Sequence, residues 1–213
     1  VNPFSPATRR LLACGAVAGP LFIVTVLAQD FTRPGFDPRI HLLSQLSLGP
    51  GGWIQVTNFV LAGVLYVFGA VGCWKREHGH RGGTAAPVLL FVFGTCLVIV
   101  GVFRTDPAHG FPPGVPTPPQ PTVSGIIHSA GALPTFLSLG AAMVSLSRVH
   151  AARREREMST YLMVSAVVFL FIFIGAMATP ALTGPALQLA VLVGWTAPSA
   201  SAMRLLRDRL IPC

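Results

Sequence analysis

Six long apolar runs alternate with polar connections of very unequal length along the chain: Leu11 to Gln29, Ile54 to Trp74, Ala85 to Phe103, Ser124 to Leu146, Ser159 to Thr179 and Gly184 to Met203. Each is long enough to cross roughly 30 Å of hydrocarbon as a helix. The pattern predicts an all-α membrane protein, a bundle of six transmembrane helices forming one polytopic domain over residues 1–213. Gly15, Gly19, Gly63, Gly69, Gly94, Gly101, Gly131 and Gly140 should let these helices approach closely. Pro20, Pro134 and Pro198 should bend theirs. The first run follows Arg9 and Arg10 as a cleavable signal would, but it exceeds the apolar core of such signals and reads as a retained helix.

The first connection, Asp30 to Trp53, carries a second period. Asp37-Pro38 is a helix start and Gly49 a stop. Between them Ile40, Leu42, Leu43 and Leu46 occupy one arc, and His41, Ser44 and Gln45 another. The spacing predicts a short interfacial helix over 37–49 in the first outer loop, too short to span. The third connection begins RTDPAHG and then turns proline-rich from Pro112 to Pro121, which predicts an extended cover over the bundle.

Charge fixes the expected orientation. Twelve of the fifteen Lys and Arg residues lie in the N-terminus (Arg9, Arg10), the second connection (Lys75, Arg76, Arg81), the fourth (Arg148, Arg153, Arg154, Arg156) and the C-terminus (Arg204, Arg207, Arg209). Only Arg33, Arg39 and Arg104 lie in the first and third connections. By the positive-inside rule both termini are cytoplasmic. With 52% hydrophobic and 10% charged residues and a mean hydropathy of +0.66, the composition does not suit a water-soluble domain. The pI near 10.7 does not imply nucleic acid, because the basic residues flank apolar helices, where anionic lipid headgroups attract them. Cys14, Cys73, Cys96 and Cys213 form no CxxC pair, and none falls in an outer loop, so each reads as a small apolar packer.

Topology gathers Asp30, Asp37, Arg39, His41, Gln45, Arg104, Asp106, His109 and His128 at the outer end of the bundle. Carboxylate, imidazole and guanidinium in one partly dry place suit acid/base chemistry or headgroup recognition. Asp106 follows the third run and His128 lies about one turn into the fourth, where an imidazole is costly unless it faces a partner or a cavity. Bland readings stand beside these: Asp37 as a helix start, Asp106 in an Arg-Asp bridge, His41 as an interface residue, His128 bonded to a neighbouring backbone. The cytoplasmic side shows charges but no such mixture close to the helices, and His78, His80 and His150 read as solvated there. His41, His109, His128 and Asp106 are zinc-type ligands, yet HxxxH and HExxH spacings are absent, so neither a metal nor a cofactor is expected. Phe91, Phe93 and Phe103 on the third span and Phe169, Phe171 and Phe173 on the fifth are either lipid-facing bulk or an aromatic lining.

HLLSQLSLG, the Asn58 and Gly63 that follow, GVFRTDP and GIIHSAG resemble the motifs of a bacterial six-helix membrane family catalogued as domain of unknown function 998. The resemblance implies six helices, a bacterial cytoplasmic-membrane location and a pattern carried by His41, Ser44, Gln45, Arg104, Asp106 and His128. It implies no reaction. The first functional expectation is an intramembrane enzyme acting on a lipid or isoprenoid-like substrate, terpenoid cyclisation being one version. Asp106, His128 and His41 would be its catalytic residues, and Arg39, Arg104, Ser44, Gln45 and His109 would hold the substrate. The alternative is a non-catalytic lipid-binding or envelope-assembly protein, with membrane lipids and a hydrophobic small molecule as partners. Proton-coupled export would need an ionisable path, which the cytoplasmic halves of the spans do not offer.

Single cysteines at Pro116 and Arg154, in a chain cleared of its own thiols, should react with an impermeant thiol reagent from opposite sides of the membrane. Labelling of both from one side would overturn the six-span topology.

Overall fold

A computed structural model describes residues 5–78, 83–179 and 182–207; Arg81, His80, Arg209 and Cys213 fall outside the described residues. The six runs are helices: α1 (Pro6–Thr32), α2 (Gly52–Glu77), α3 (Ala85–Val102), α4 (Val123–Ala152), α5 (Arg156–Ala178) and α6 (Thr183–Arg207). All six are long and apolar enough to cross a membrane. Most begin or end some residues beyond the apolar run, since a helix continues into the interface until a cap or turn stops it. Ser5 starts α1 by accepting the Thr8 amide, and Thr122 starts α4 by accepting that of Gly125. Pro20, Pro134 and Pro198 lie inside uninterrupted helices.

Each helix packs against its neighbours in sequence, and α6 returns to α1, so the six close into a ring. The long connections 33–51 and 103–122 lie at one end, the capped end. The short 153–155 connection lies at the other, the charged end. The expected helix over 37–49 does not form as such. Asp37 instead caps a turn, and Leu43–Ser47 form a single 3-10 helix. The side chains of His41 and Gln45 bond backbone groups of this segment, at Asp37 and Leu42, in place of a continuous ladder.

Glycine sets the helix separation. Gly63 on α2 and Gly94 on α3 meet so closely that a Cβ on either would lie 2.6 Å from the other's carbonyl oxygen. At the α1–α6 crossing a Cβ on Gly19 would lie 2.0 Å from the Trp195 carbonyl oxygen. Polar side chains exploit this closeness. The Ser199 hydroxyl accepts from the Gly19 amide at 3.0 Å and donates to the Gly15 carbonyl at 2.8 Å, and Tyr66 donates to the Trp195 carbonyl at 2.6 Å. The six phenylalanines named in the third and fifth apolar runs divide by helical phase: Phe93, Phe169 and Phe173 are buried, while Phe91, Phe103 and Phe171 are exposed. Residues two apart on a helix cannot share a face.

Gly19→Ala should lower the melting temperature of the purified protein, because overpacking against an immovable backbone costs about 1–3 kcal/mol. Gly175→Ala, whose Cβ would meet nothing within 4 Å, should be neutral or slightly stabilising. Equal melting temperatures for both variants would contradict the close crossing.

Candidate functional site

The capped end is assembled from main-chain carbonyls that need donors and side chains that supply them. His41 and Gln45 are both buried. The His41 Nδ1 accepts the Asp37 amide at 2.8 Å, so its Nε2 carries the proton and donates to the His109 carbonyl at 3.1 Å. Gln45 accepts the Leu42 amide at 2.8 Å and donates to the Ala108 carbonyl at 2.7 Å. The first and third connections are thereby clamped together. Phe36, His41 and Phe111 pack as a plug with ring centroids 5.3–5.4 Å apart. The Arg33 guanidinium donates to the Leu48 carbonyl, and burial lowers its pKa.

Other expected site residues lie at this end in different circumstances. Arg39 is exposed and pairs with Asp37 at 2.8 Å; hydrogen bonds from Arg39 pull the Asp37 carboxyl down to about 2. Arg104 is exposed, and its carbonyl accepts from Ser124 at 2.8 Å. His109 is exposed with φ 55°, contributing its backbone carbonyl to the clamp. The Asp106 carboxylate accepts the Thr122 amide at 3.0 Å and the Thr122 hydroxyl at 2.5 Å. It makes no hydrogen bond to His128 among the described residues. His128 is buried, and its Nδ1 lies 3.0 Å from the Val100 carbonyl and 2.9 Å from that of Phe103.

Beneath the 3-10 helix lies a cavity of about 300 Å³. Leu42, Leu43 and Ser44 roof it, His128, Ser129 and Thr105 form its polar shoulder, and Phe59, Phe136, Phe173 and Trp195 line its depth. Phe136 stacks on Phe173 with centroids 4.6 Å apart, as two roughly parallel plates. Leu133 on α4 and Met177 on α5 line the same cavity yet are 53% and 54% exposed, which sets its mouth between the capped-end halves of α4 and α5. Of these polar lining residues the sequence pointed to His128 and Ser44 but not to Thr105 or Ser129, nor to the mouth, because a cavity depends on helix phase. Sequence reasoning also passed over the amides buried in the spans. Gln29 donates to Gln55 at 2.8 Å, and Gln188 donates to Asp30. A Gln within an apolar run was the signal that could have found them.

The charged end corrects an expectation. His150 is fully buried rather than solvated: its Nδ1 lies 2.6 Å from Glu155 and its Nε2 2.8 Å from the Ser201 hydroxyl. Glu77, also buried, lies 3.1 Å from Arg153. Burial raises the Glu155 pKa, but the His150 and Arg204 interactions outweigh it and hold the carboxyl below its usual value. A mixture of Arg, Glu and His therefore does sit close to the helices there. Ser201, His150 and Glu155 have the hydrogen-bond order of a nucleophile relay. The cavity beside Ser201 holds only about 10 Å³, too little for a substrate at that hydroxyl, and the larger space along Glu155 and Arg204 does not reach Ser201; the bonds tie α4 to α6. Among the described residues no group of three His, Cys, Asp or Glu could hold a metal.

A family model described as Protein of unknown function (DUF998) matches residues 16–204. No curated protein and no solved structure gave a match.

His41→Ala removes both ends of the clamp and should destabilise the purified protein by about 1–3 kcal/mol, since it leaves the His109 carbonyl without its donor. His109→Asn keeps a residue that tolerates positive φ and should stay within about 0.5 kcal/mol of the parent. Thermal melting of both compares them, and a larger loss for His109→Asn would refute the clamp.

Proposed function

The chain belongs to the family described as Protein of unknown function (DUF998), and from that premise we propose that it binds a lipid- or isoprenoid-like molecule in the capped-end cavity, admitted sideways from the bilayer. One observation carries the reading: an aromatic and aliphatic cavity whose edge, at Leu133 and Met177, lies on the lipid-facing side of the helices. An apolar chain moving from lipid to such a cavity gains packing contacts with fixed rings, and the ligand needs no passage through water. The division of basic residues supports a capped end in the outer leaflet with both termini inside, and the resemblance to a bacterial family supports a bacterial cytoplasmic membrane.

Acid/base conversion of the bound molecule, terpenoid cyclisation included, is the second reading. Cyclisation begun by protonation needs a carboxylic acid facing the chain. None of the lining residues is Asp or Glu, and Asp106 is engaged with Thr122. His128 keeps one ring nitrogen free among the described residues, so a catalytic version rests on His128 as a base rather than on Asp106. Non-catalytic binding is the reading the geometry supports best.

Protein extracted gently from native membranes should carry a bound lipid-like species by native mass spectrometry. Ala132→Phe, which fills the cavity from its α4 wall, should lose that species while its melting temperature stays near the parent's. Equal retention by the parent and Ala132→Phe would sink the cavity as the binding site.

A further inference from the structure

The polar shoulder of the cavity specifies what the head of its ligand carries. Carbonyl oxygens only accept, so the His128 Nδ1, placed between the Val100 and Phe103 carbonyls, must bear the proton. Both carbonyls lie at the end of α3, where main-chain acceptors lack intrahelical donors. The ring is thereby locked in one tautomer. Its Nε2 is left as a lone-pair acceptor with no partner among the described residues, in a buried residue that lines the cavity. A ring protonated at both nitrogens would place a cation on a wall that holds no carboxylate.

The neighbours narrow the head further. Ser44, Thr105 and Ser129 also line the cavity, and their hydroxyls make no hydrogen bond among the described residues, so each can donate or accept. No Lys or Arg lines it: Arg104 is exposed outside the lining, and Arg39 is exposed and paired with Asp37. A phosphate or carboxylate drawn inside would lose its hydration without gaining a counter-charge. A cavity of about 300 Å³ takes a single chain rather than a two-chain phospholipid.

We propose, building on the lipid-binding reading above, that His128 is the polar anchor of this cavity and that its ligand is a neutral single-chain lipid ending in a hydroxyl. The hydroxyl donates to Nε2 of His128, its oxygen accepts from Ser44, Thr105 or Ser129, and the chain runs down toward Phe136 and Trp195.

Competition against tritiated 1-dodecanol on the full chain in nanodiscs tests this, using unlabelled 1-dodecanol, dodecyl methyl ether and ionised dodecanoic acid. The parent protein should prefer the alcohol about tenfold over both competitors, the scale of one buried hydrogen bond. His128→Leu should bind alcohol and ether equally. Equal binding of alcohol and ether by the parent, or a preference for the acid, would overturn the anchor while leaving the cavity reading intact. If tritiated dodecanol does not bind the parent at all, the lipid-binding reading fails and the anchor fails with it. The parent's own alcohol-to-ether ratio decides the matter even if His128→Leu does not fold.

Discussion

Hydrocarbon offers no hydrogen-bond partner, and that deficit governs how this chain holds its helices together. Several polar side chains within the spans are delivered to a neighbour's main chain. Tyr66 reaches the Trp195 carbonyl, Ser199 inserts between the Gly19 amide and the Gly15 carbonyl, Asn58 reaches the Phe22 carbonyl, and Ser147 that of Ser159. Such bonds need backbones in near contact. Gly19 provides the approach of α1 to α6 and Gly15 with Gly69 that of α1 to α2, so at these crossings the glycines and the polar ties form one device.

The two ends meet the same requirement differently. At the charged end, Glu77 and Glu155 gather arginines and His150 into a network that ties α2, α4 and α6 together. At the capped end, His41, Gln45 and Arg33 serve loop carbonyls, so the cover over the cavity is held largely by side chain-to-backbone bonds. Unpaired polar atoms are therefore informative. Around the cavity these include the Trp195 indole N–H and, among the described residues, the His128 Nε2; between α1 and its neighbours they include amide atoms of Gln29, Gln55 and Asn58 and oxygens of Asp30 and Gln188. The first group borders a space of about 300 Å³, large enough for a ligand.

Hydropathy and turn residues made the six helices legible, because a span must be long and apolar whatever it packs against. The family resemblance was legible in HLLSQLSLG, GVFRTDP and GIIHSAG, and a family model covers residues 16–204. Residues 37–49 misled, because their apolar and polar arcs fit an α-helix while the amide of Gln45 and the imidazole of His41 found better use bonding across the loops. His150 misled for a related reason: proximity to arginines in sequence suggested solvent, but Glu155, five residues on, folds back under it. The cavity could not be read at all. Its lining draws on α2, α3, α4, α5, α6 and the loops at the capped end, a property of how the helices are arranged rather than of residue order.

By the proposed lateral route an apolar chain enters between α4 and α5 and reaches Trp195. Trp195 is buried and lines the cavity, whereas Trp53 and Trp74 both keep substantial exposure. In a Trp53→Phe, Trp74→Phe background, the remaining indole fluorescence should be strongly quenched by lipids brominated along one acyl chain, and Ala132→Phe should relieve the quenching. Fluorescence unaffected by brominated lipid, or quenched equally with the cavity filled, would contradict lateral entry.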